Sequence, residues 1–198
     1  VVCGDATACI VPFQVGKIKK NQRIFSNSGC ASMGYDLPAA IGAAIAAPKK
    51  RIICLAGDGS IQMNIQELQT ISGLNLNIKI FVLNNGGYLS IKQTQNNFFG
   101  RSVGSSPSTK VTFPDFIKVG KAFGLKSTRL ESKPFDFDLR SFLNIKGPAL
   151  CEIILDQSQE FEPRLKSKQM DDGTIVTPRL EDMYPFLDEK ELKSNIIE

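Results

Sequence analysis

Two short runs hold residue types that can do chemistry when set side by side. Gly57-Asp58-Gly59-Ser60 follows the apolar run RIICLA, and Asn84-Asn85-Gly86-Gly87 follows the apolar run IKIFVL. A hard dication such as Mg²⁺ takes oxygen ligands in near-octahedral geometry, usually shared between protein, water and a bound diphosphate. Asp58 offers a carboxylate, Asn85 an amide oxygen, and the main-chain carbonyl of Gly86 or Gly87 a third donor. Gly57 and Gly59 let the backbone approach a phosphate closely and present N–H donors; Ser60 adds a hydroxyl, and a helix after it adds its positive end. Either run alone reads first as a tight turn or a positive-φ loop. Together they are more specific, because the 24 residues between Gly59 and Asn84 have room for one helix and one strand.

The elements that must position these runs follow from hydrophobic patterning. Short apolar runs alternate with amphipathic stretches, the mark of a parallel sheet covered by helices. Strands are expected at Val1–Cys3, Arg51–Ala56, Ile78–Leu83, Lys126–Leu130 and Ala149–Leu155. Pro38–Ala47 reads as a small-residue helix that packs its backbone closely and stops at Pro48. Asn64 and Glu67 have capping-box spacing ahead of a helix closed by Gly73. Pro114 and Asp115 start another, with Phe116, Val119 and Phe123 on one face and Gly124 after it. Leu139, Phe142 and Leu143 mark a last helix. The result is an α/β, doubly wound, mostly parallel sheet flanked by helices, in which both chemical runs sit at carboxyl ends of strands and share a crevice.

Gly100–Thr109 (GRSVGSSPST) reads as a mobile loop. Residues 1–155 form the expected domain, and 156–198, broken by Pro163, Gly173, Pro178 and Pro185, an extended C-terminal tail that packs on the domain or acts as a lid. Met183, Tyr184, Phe186 and Leu187 give that tail something to bury. Charge divides the same way: residues 1–155 hold 18 Lys and Arg against 9 Asp and Glu, whereas 156–198 hold 6 against 11. Two solvated faces of different composition account for this better than an acidic tail folded over a basic body. Lys17, Lys19, Lys20 and Arg23 lack aromatic interleaving, so no nucleic-acid partner is expected. No apolar run approaches the roughly 20 residues a membrane helix needs. The five cysteines are scattered without a CxxC pair, which suggests neither disulfides nor zinc and fits a reducing cytoplasm. The chain opens on VVCGDA with no signal peptide ahead of it and reads as a piece of something longer.

The segments SGCASMGYDLPAAIGAAIA, GDGSIQMNIQEL and IKIFVLNNGGY resemble the C-terminal, diphosphate-binding domain of thiamine-diphosphate (ThDP) enzymes of the acetolactate synthase type, over roughly residues 1–155. The resemblance implies that Asp58, Asn85 and the Gly87 carbonyl bind Mg²⁺, and that Gly57, Gly59 and Ser60 hold the diphosphate. It implies that the Asp5-Ala6-Thr7-Ala8 turn touches the distal phosphate, and that Ala31, Ser32 and Met33 meet the aminopyrimidine, with Met33 bending the cofactor. Tyr88 and Leu89 complete the implied cofactor-binding set. By the residues alone, Met33 reads as a core side chain, and it is the resemblance that turns it toward the cofactor. The implied activity is decarboxylation of a 2-keto acid of the pyruvate type with carbon–carbon bond formation, in which the cofactor supplies the hard chemistry. The essential glutamate is expected on an N-terminal pyrimidine-binding domain of a partner subunit, in a homodimer or homotetramer. No segment here resembles that domain, so the chain alone is expected to be inactive.

Departures from the family bear on substrate. Thr7-Ala8 stands where Gln-His is usual, and the chain has no His. Ser90 and Thr94 replace a Met and a Trp that shape the second keto-acid site, leaving a smaller, more polar wall. Arg164, Lys166 or Arg179 of the tail would supply charge to an anionic substrate if the tail closes. Three alternatives stay open: a non-ligating decarboxylase, a lyase on another substrate, and a regulatory homologue without chemistry. A dinucleotide or P-loop module is disfavoured, since no GxGxxG follows a strand and no GxxxxGK[ST] occurs.

Overall fold

The computed structural model describes residues 1–131 and 139–196. They form two compact units, Val1–Gln159 and Glu160–Glu198.

In the first unit, β1 (Val2–Cys3) leads into α1 (Thr7–Val15), then α2 (Asp36–Ala46), β2 (Ile52–Gly57), one 3-10 turn (Ile61–Asn64), α3 (Glu67–Gly73) and β3 (Ile78–Asn84). After these come α4 (Leu89–Phe99), α5 (Phe116–Ala122), β4 (Lys126–Leu130), α6 (Leu139–Leu143) and β5 (Ala149–Ile154). The strands form one sheet in the order β1-β2-β3-β5-β4 with every neighbouring pair parallel. Strand β4 lands one place beyond β3, and β5 fills the gap between them.

Alternation along the strands feeds two cores. Ile52, Cys54 and Ala56 of β2 and Ile78, Ile80 and Val82 of β3 pack with Leu37, Ala40 and Ala44 of α2, Leu68 and Ile71 of α3, and Phe116 of α5. The opposite face puts Phe81 and Cys151 against Phe142 of α6, the two rings edge to face at 5.1 Å. Helices on both faces explain why the central strands are apolar on both sides. The expected mostly parallel α/β sheet flanked by helices is what the chain forms, and the five expected strands match to within a residue at each end.

Local expectations met mixed outcomes. Asp115 caps α5, accepting from the Ile117 and Lys118 amides at 2.9 and 3.1 Å. The Asn64–Glu67 capping box does not form. Residues Ser60, Ile65 and Gln66 are already helical in φ and ψ, so no extended N-cap exists, and Asn64 instead donates to the Gly34 carbonyl at 2.8 Å. Helix α2 begins at Asp36, two residues before Pro38, which is tolerated because first-turn N–H groups have no helical partner anyway. Helix α1 was not foreseen; it has Pro12 inside and no side-chain cap. The loop expected to be mobile is fastened: Gln95 exchanges hydrogen bonds with Val103, and Thr109 Oγ1 accepts from the Ser105 and Ser106 amides.

The second unit has a two-stranded antiparallel ribbon, β6 (Lys168–Gln169) and β7 (Ile175–Val176), and a helix α7 (Glu189–Asn195) capped by Asp188. Lys166 and Lys168 lie over the rings of Tyr184 and Phe186 at 4.2 and 4.1 Å. Met183 and Leu187, expected to be buried, are exposed.

Candidate cofactor site

Strands β1, β2 and β3 are consecutive in the sheet, so the turns leaving their carboxyl ends meet in one crevice. Its walls are Asp5, Ala6 and Thr7 after β1, Gly57 to Ser60 after β2, and Asn85, Gly87, Tyr88 and Leu89 after β3, with Met33 from the loop before α2. Met33 is 38 % exposed, which rules out the core reading for its side chain. Ala8, Ala31 and Ser32 do not line the crevice: Ala8 is buried in α1, and Ala31 and Ser32 lie exposed on the loop ahead of Met33.

Asp58 is buried, and its two carboxylate oxygens accept from the Gly59 amide at 2.8 Å and the Gly87 amide at 3.0 Å. It therefore joins the second turn to the third. Burial pushes its pKa up to about 6, against the opposing pull of the Gly59, Gly87, Gly86 and Asn85 amides. Asn85 donates its Nδ2 to Thr7 Oγ1 at 3.0 Å, joining the third turn to the first, and its Oδ1 is buried without a partner. A buried amide oxygen left unpaired beside a carboxylate is what a hard cation would satisfy. Among the described residues no group of three or more His, Cys, Asp or Glu side chains is placed to hold a metal ion, so a cation here would take mixed oxygen donors. The residues present fit a metal held by one carboxylate, one amide oxygen and a main-chain carbonyl.

Glycine is required at two positions by close approach. A Cβ on Gly59 would run into the Tyr88 ring, and one on Gly87 into the Ser105 carbonyl. Ala6, at the entry to α1, has φ 50° and ψ −122°, a conformation a non-glycine residue holds only when its surroundings impose it.

Ser60 departs from expectation. Its hydroxyl donates to Asp36 Oδ2 at 2.6 Å and accepts from the Gly34 amide at 2.9 Å. With the hydroxyl committed inward, any phosphate contact falls to the Ser60 backbone amide. The helix expected directly behind it is the single 3-10 turn, with α3 starting only at Glu67. Asp36, which sequence reasoning missed as part of the site, is fully buried under this turn, and burial raises its pKa while the Ser60 hydroxyl and Leu37 amide oppose the rise. Its signal in the sequence was one acidic residue inside the otherwise apolar run GYDLPAAIGAAIA. Ser90 and Thr94 lie one turn apart on α4, outside the crevice walls.

A family model described as thiamine pyrophosphate enzyme, C-terminal TPP binding domain, matches residues 5–153. The chain belongs to this thiamine pyrophosphate enzyme family. As a TPP-binding domain its cofactor is thiamine diphosphate, whose usual partner ion in the family is Mg²⁺. The matched span runs from the Asp5 turn through β5. Curated relatives include the acetolactate synthase large subunit of Cyanidium caldarium, 39% identical over 141 residues, which are 71% of this chain and 24% of that protein. The acetolactate synthase isozyme 1 large subunit of Escherichia coli is 34% identical over 155 residues, 76% of this chain and 26% of its own. The mitochondrial acetolactate synthase of Schizosaccharomyces pombe is 34% identical over 145 residues, 73% of this chain and 21% of its own. The chain thus spans about a quarter of the length of these relatives. Among the described residues no helix is long and apolar enough to cross a membrane.

Proposed function

We propose that this chain is the part of an acetolactate synthase-like carboligase that holds Mg²⁺ and the ThDP diphosphate, in a protein that decarboxylates a 2-keto acid of the pyruvate type and joins the product to a second carbonyl compound. The observation that supports it best is the buried, unpartnered Oδ1 of Asn85 beside the Asp58 carboxylate at the ends of adjacent strands. Asp58, Asn85 and the Gly87 carbonyl would hold the metal, and the Gly59 and Ser60 amides the diphosphate. Asp5, Ala6 and Thr7, which line the crevice, would meet the distal phosphate. The loop carrying Ala31, Ser32 and Met33 would meet the pyrimidine, and Tyr88 and Leu89 would flank the metal turn.

When bound, ThDP supplies a carbon nucleophile and a sink for the charge released with CO₂. This chain's own work is positional. The Gly59 and Gly87 amides fix both oxygens of Asp58, and Thr7 fixes the Asn85 amide, so the donor set is organised before a ligand arrives. Proton movement at the pyrimidine is assigned to a glutamate on an N-terminal domain of a partner subunit, in a homodimer or homotetramer. The cytoplasm is the compartment we infer, since among the described residues Cys3, Cys9, Cys30, Cys54 and Cys151 are all free thiols. We assign the tail a lid or packing role.

Ser90 and Thr94, small and polar on one face of α4, favour a second reading in which the substrate is larger or hydroxylated and the enzyme a decarboxylase or lyase without ligation. Feeding 2-keto acids to the full-length protein with Mg²⁺ and ThDP separates the two: a carboligase accumulates a coupled hydroxyketone, whereas release of free aldehyde alone supports the second reading. No turnover, with no glutamate in the N-terminal sequence, supports a regulatory homologue.

A further inference from the structure

The geometry points to Glu152 as a positioning residue that sets the orientation of Asn84 and, through it, the shape of the Asn85-Gly86-Gly87 turn. This rests on the reading of that turn as metal-holding. Glu152 lies on β5, opposite Val82 of β3 and Arg129 of β4, and is 2 % exposed. Its Oε1 accepts from Asn84 Nδ2 at 2.7 Å, and its Oε2 accepts from Arg129 Nε at 2.8 Å. Arg129 is itself held at 3.1 Å by Asp115, the cap of α5.

A carboxylate can only accept hydrogen bonds, whereas an amide side chain has one accepting end and one donating end. Facing Glu152, Asn84 must present its NH₂, which leaves its Oδ1 for the Gly86 amide, 3.0 Å away. Reversing the Asn84 amide would set oxygen against oxygen at Glu152 and N–H against N–H at Gly86. Gly86 holds φ 72°, and the next amide, Gly87, is bound by Asp58 at 3.0 Å. Two successive amides of the turn are thus anchored, one by Asp58 directly and one by Glu152 through Asn84. Asn85, with its unpartnered Oδ1, directly precedes them. Burying a carboxylate in the sheet beside the fully buried Val82 costs more desolvation than an apolar side chain would, so sheet packing alone does not explain an acid there.

The test uses the full-length protein and three variants: Glu152→Gln, the exchange Asn84→Asp with Glu152→Gln, and Asp58→Ala as a reference. Mg²⁺-dependent ThDP affinity is measured by titration calorimetry, alongside melting of the cofactor-free protein. Glu152→Gln is expected to weaken Mg²⁺-dependent ThDP binding about 10-fold, the scale of lost support behind a metal ligand. In the exchange variant the new carboxamide at 152 donates to the new carboxylate at 84 and keeps its oxygen toward Arg129, while that carboxylate still accepts from Gly86. Affinity should return to within about 3-fold of wild type. A melting change in Glu152→Gln with unchanged affinity, or an exchange variant that binds no better than Glu152→Gln, overturns the proposal. If Asp58→Ala also keeps its Mg²⁺-dependent affinity, the metal-site reading itself has failed; if Asp58→Ala loses it while Glu152→Gln does not, only the role of Glu152 has failed.

Discussion

At the scale of single residues, the crevice is organised by pairs that bind one turn to another. Thr7 and Asn85 are such a pair, and Thr7→Val keeps the volume while removing the oxygen that accepts from Asn85 Nδ2. Freed to rotate, the amide should lose about 10-fold in Mg²⁺-dependent ThDP affinity, with little change in melting; equilibrium titration of the full-length variant checks this. Asp58 carries a pH signature. Its folded pKa, about 6, lies above the usual 3.8 because it is buried, so the folded protein binds the Asp58 proton more tightly than the unfolded one. That stabilisation is complete below pH 3.8 and is lost as pH rises through about 6. The lowered carboxylates Asp115, Asp156, Asp172 and Glu189 act with the opposite sign, their stabilisation lost as pH falls below their ordinary values of 3.8 for the aspartates and 4.5 for Glu189, at the bottom of this window. Cofactor-free protein should therefore lose stability between about pH 4 and pH 6.5. Asp58→Asn should make that slope shallower, leaving the part that comes from Asp36, whose pKa burial also raises, as read by melting temperature against pH. That Asp58 and Asn85 meet in one crevice was legible in the sequence because each follows an apolar run that reads as a parallel strand, and such turns share the carboxyl edge of the sheet. The inward turn of the Ser60 hydroxyl was not legible, since its partners, Gly34 and Asp36, lie 26 and 24 residues away in the chain.

At the scale of elements, burial decided what could be read. Strands β2, β3 and β5 are covered on two faces and so read as mostly apolar runs, interrupted by Lys79 in β3 and Glu152 in β5, and their ends were placed within a residue. Helix α1 escaped because TACIVPFQV shows no polar face and contains Pro12. The Asn64 cap misled because the local spacing was right but the amide had a tertiary partner in Gly34. Helix α2 shows what the small residues do: Ala40 and Ala44 are buried against Cys54, Ala56 and Val82, which lets the helix lie close to the sheet. Ala40→Leu, at a fully buried position, should force the helix outward and cost about 2 kcal/mol. Because α2 carries Asp36 beneath Ser60, the same substitution should also weaken ThDP binding. Denaturant unfolding and calorimetry on one preparation test both effects.

At the scale of the molecule, the chain would supply, on the proposed reading, one wall of a larger site. It matches about a quarter of the length of its acetolactate synthase relatives, and the residues it brings together are those suited to a metal and a diphosphate. On the proposed reading, substrate choice would involve the face of α4 that bears Ser90 and Thr94. The fold class was legible because alternating strands and helices admit few arrangements. The place of β5 between β3 and β4 was not, because strand order depends on contacts far apart in sequence. The central claim is that Asp58 anchors a metal on which diphosphate binding depends. Titration calorimetry of ThDP into full-length wild type and Asp58→Ala, each with and without Mg²⁺, tests it most directly. Wild type should bind tightly only with Mg²⁺, and Asp58→Ala should lose at least about 100-fold of that affinity while keeping its circular-dichroism spectrum. An Asp58→Ala protein with the same Mg²⁺-dependent affinity as wild type contradicts the account.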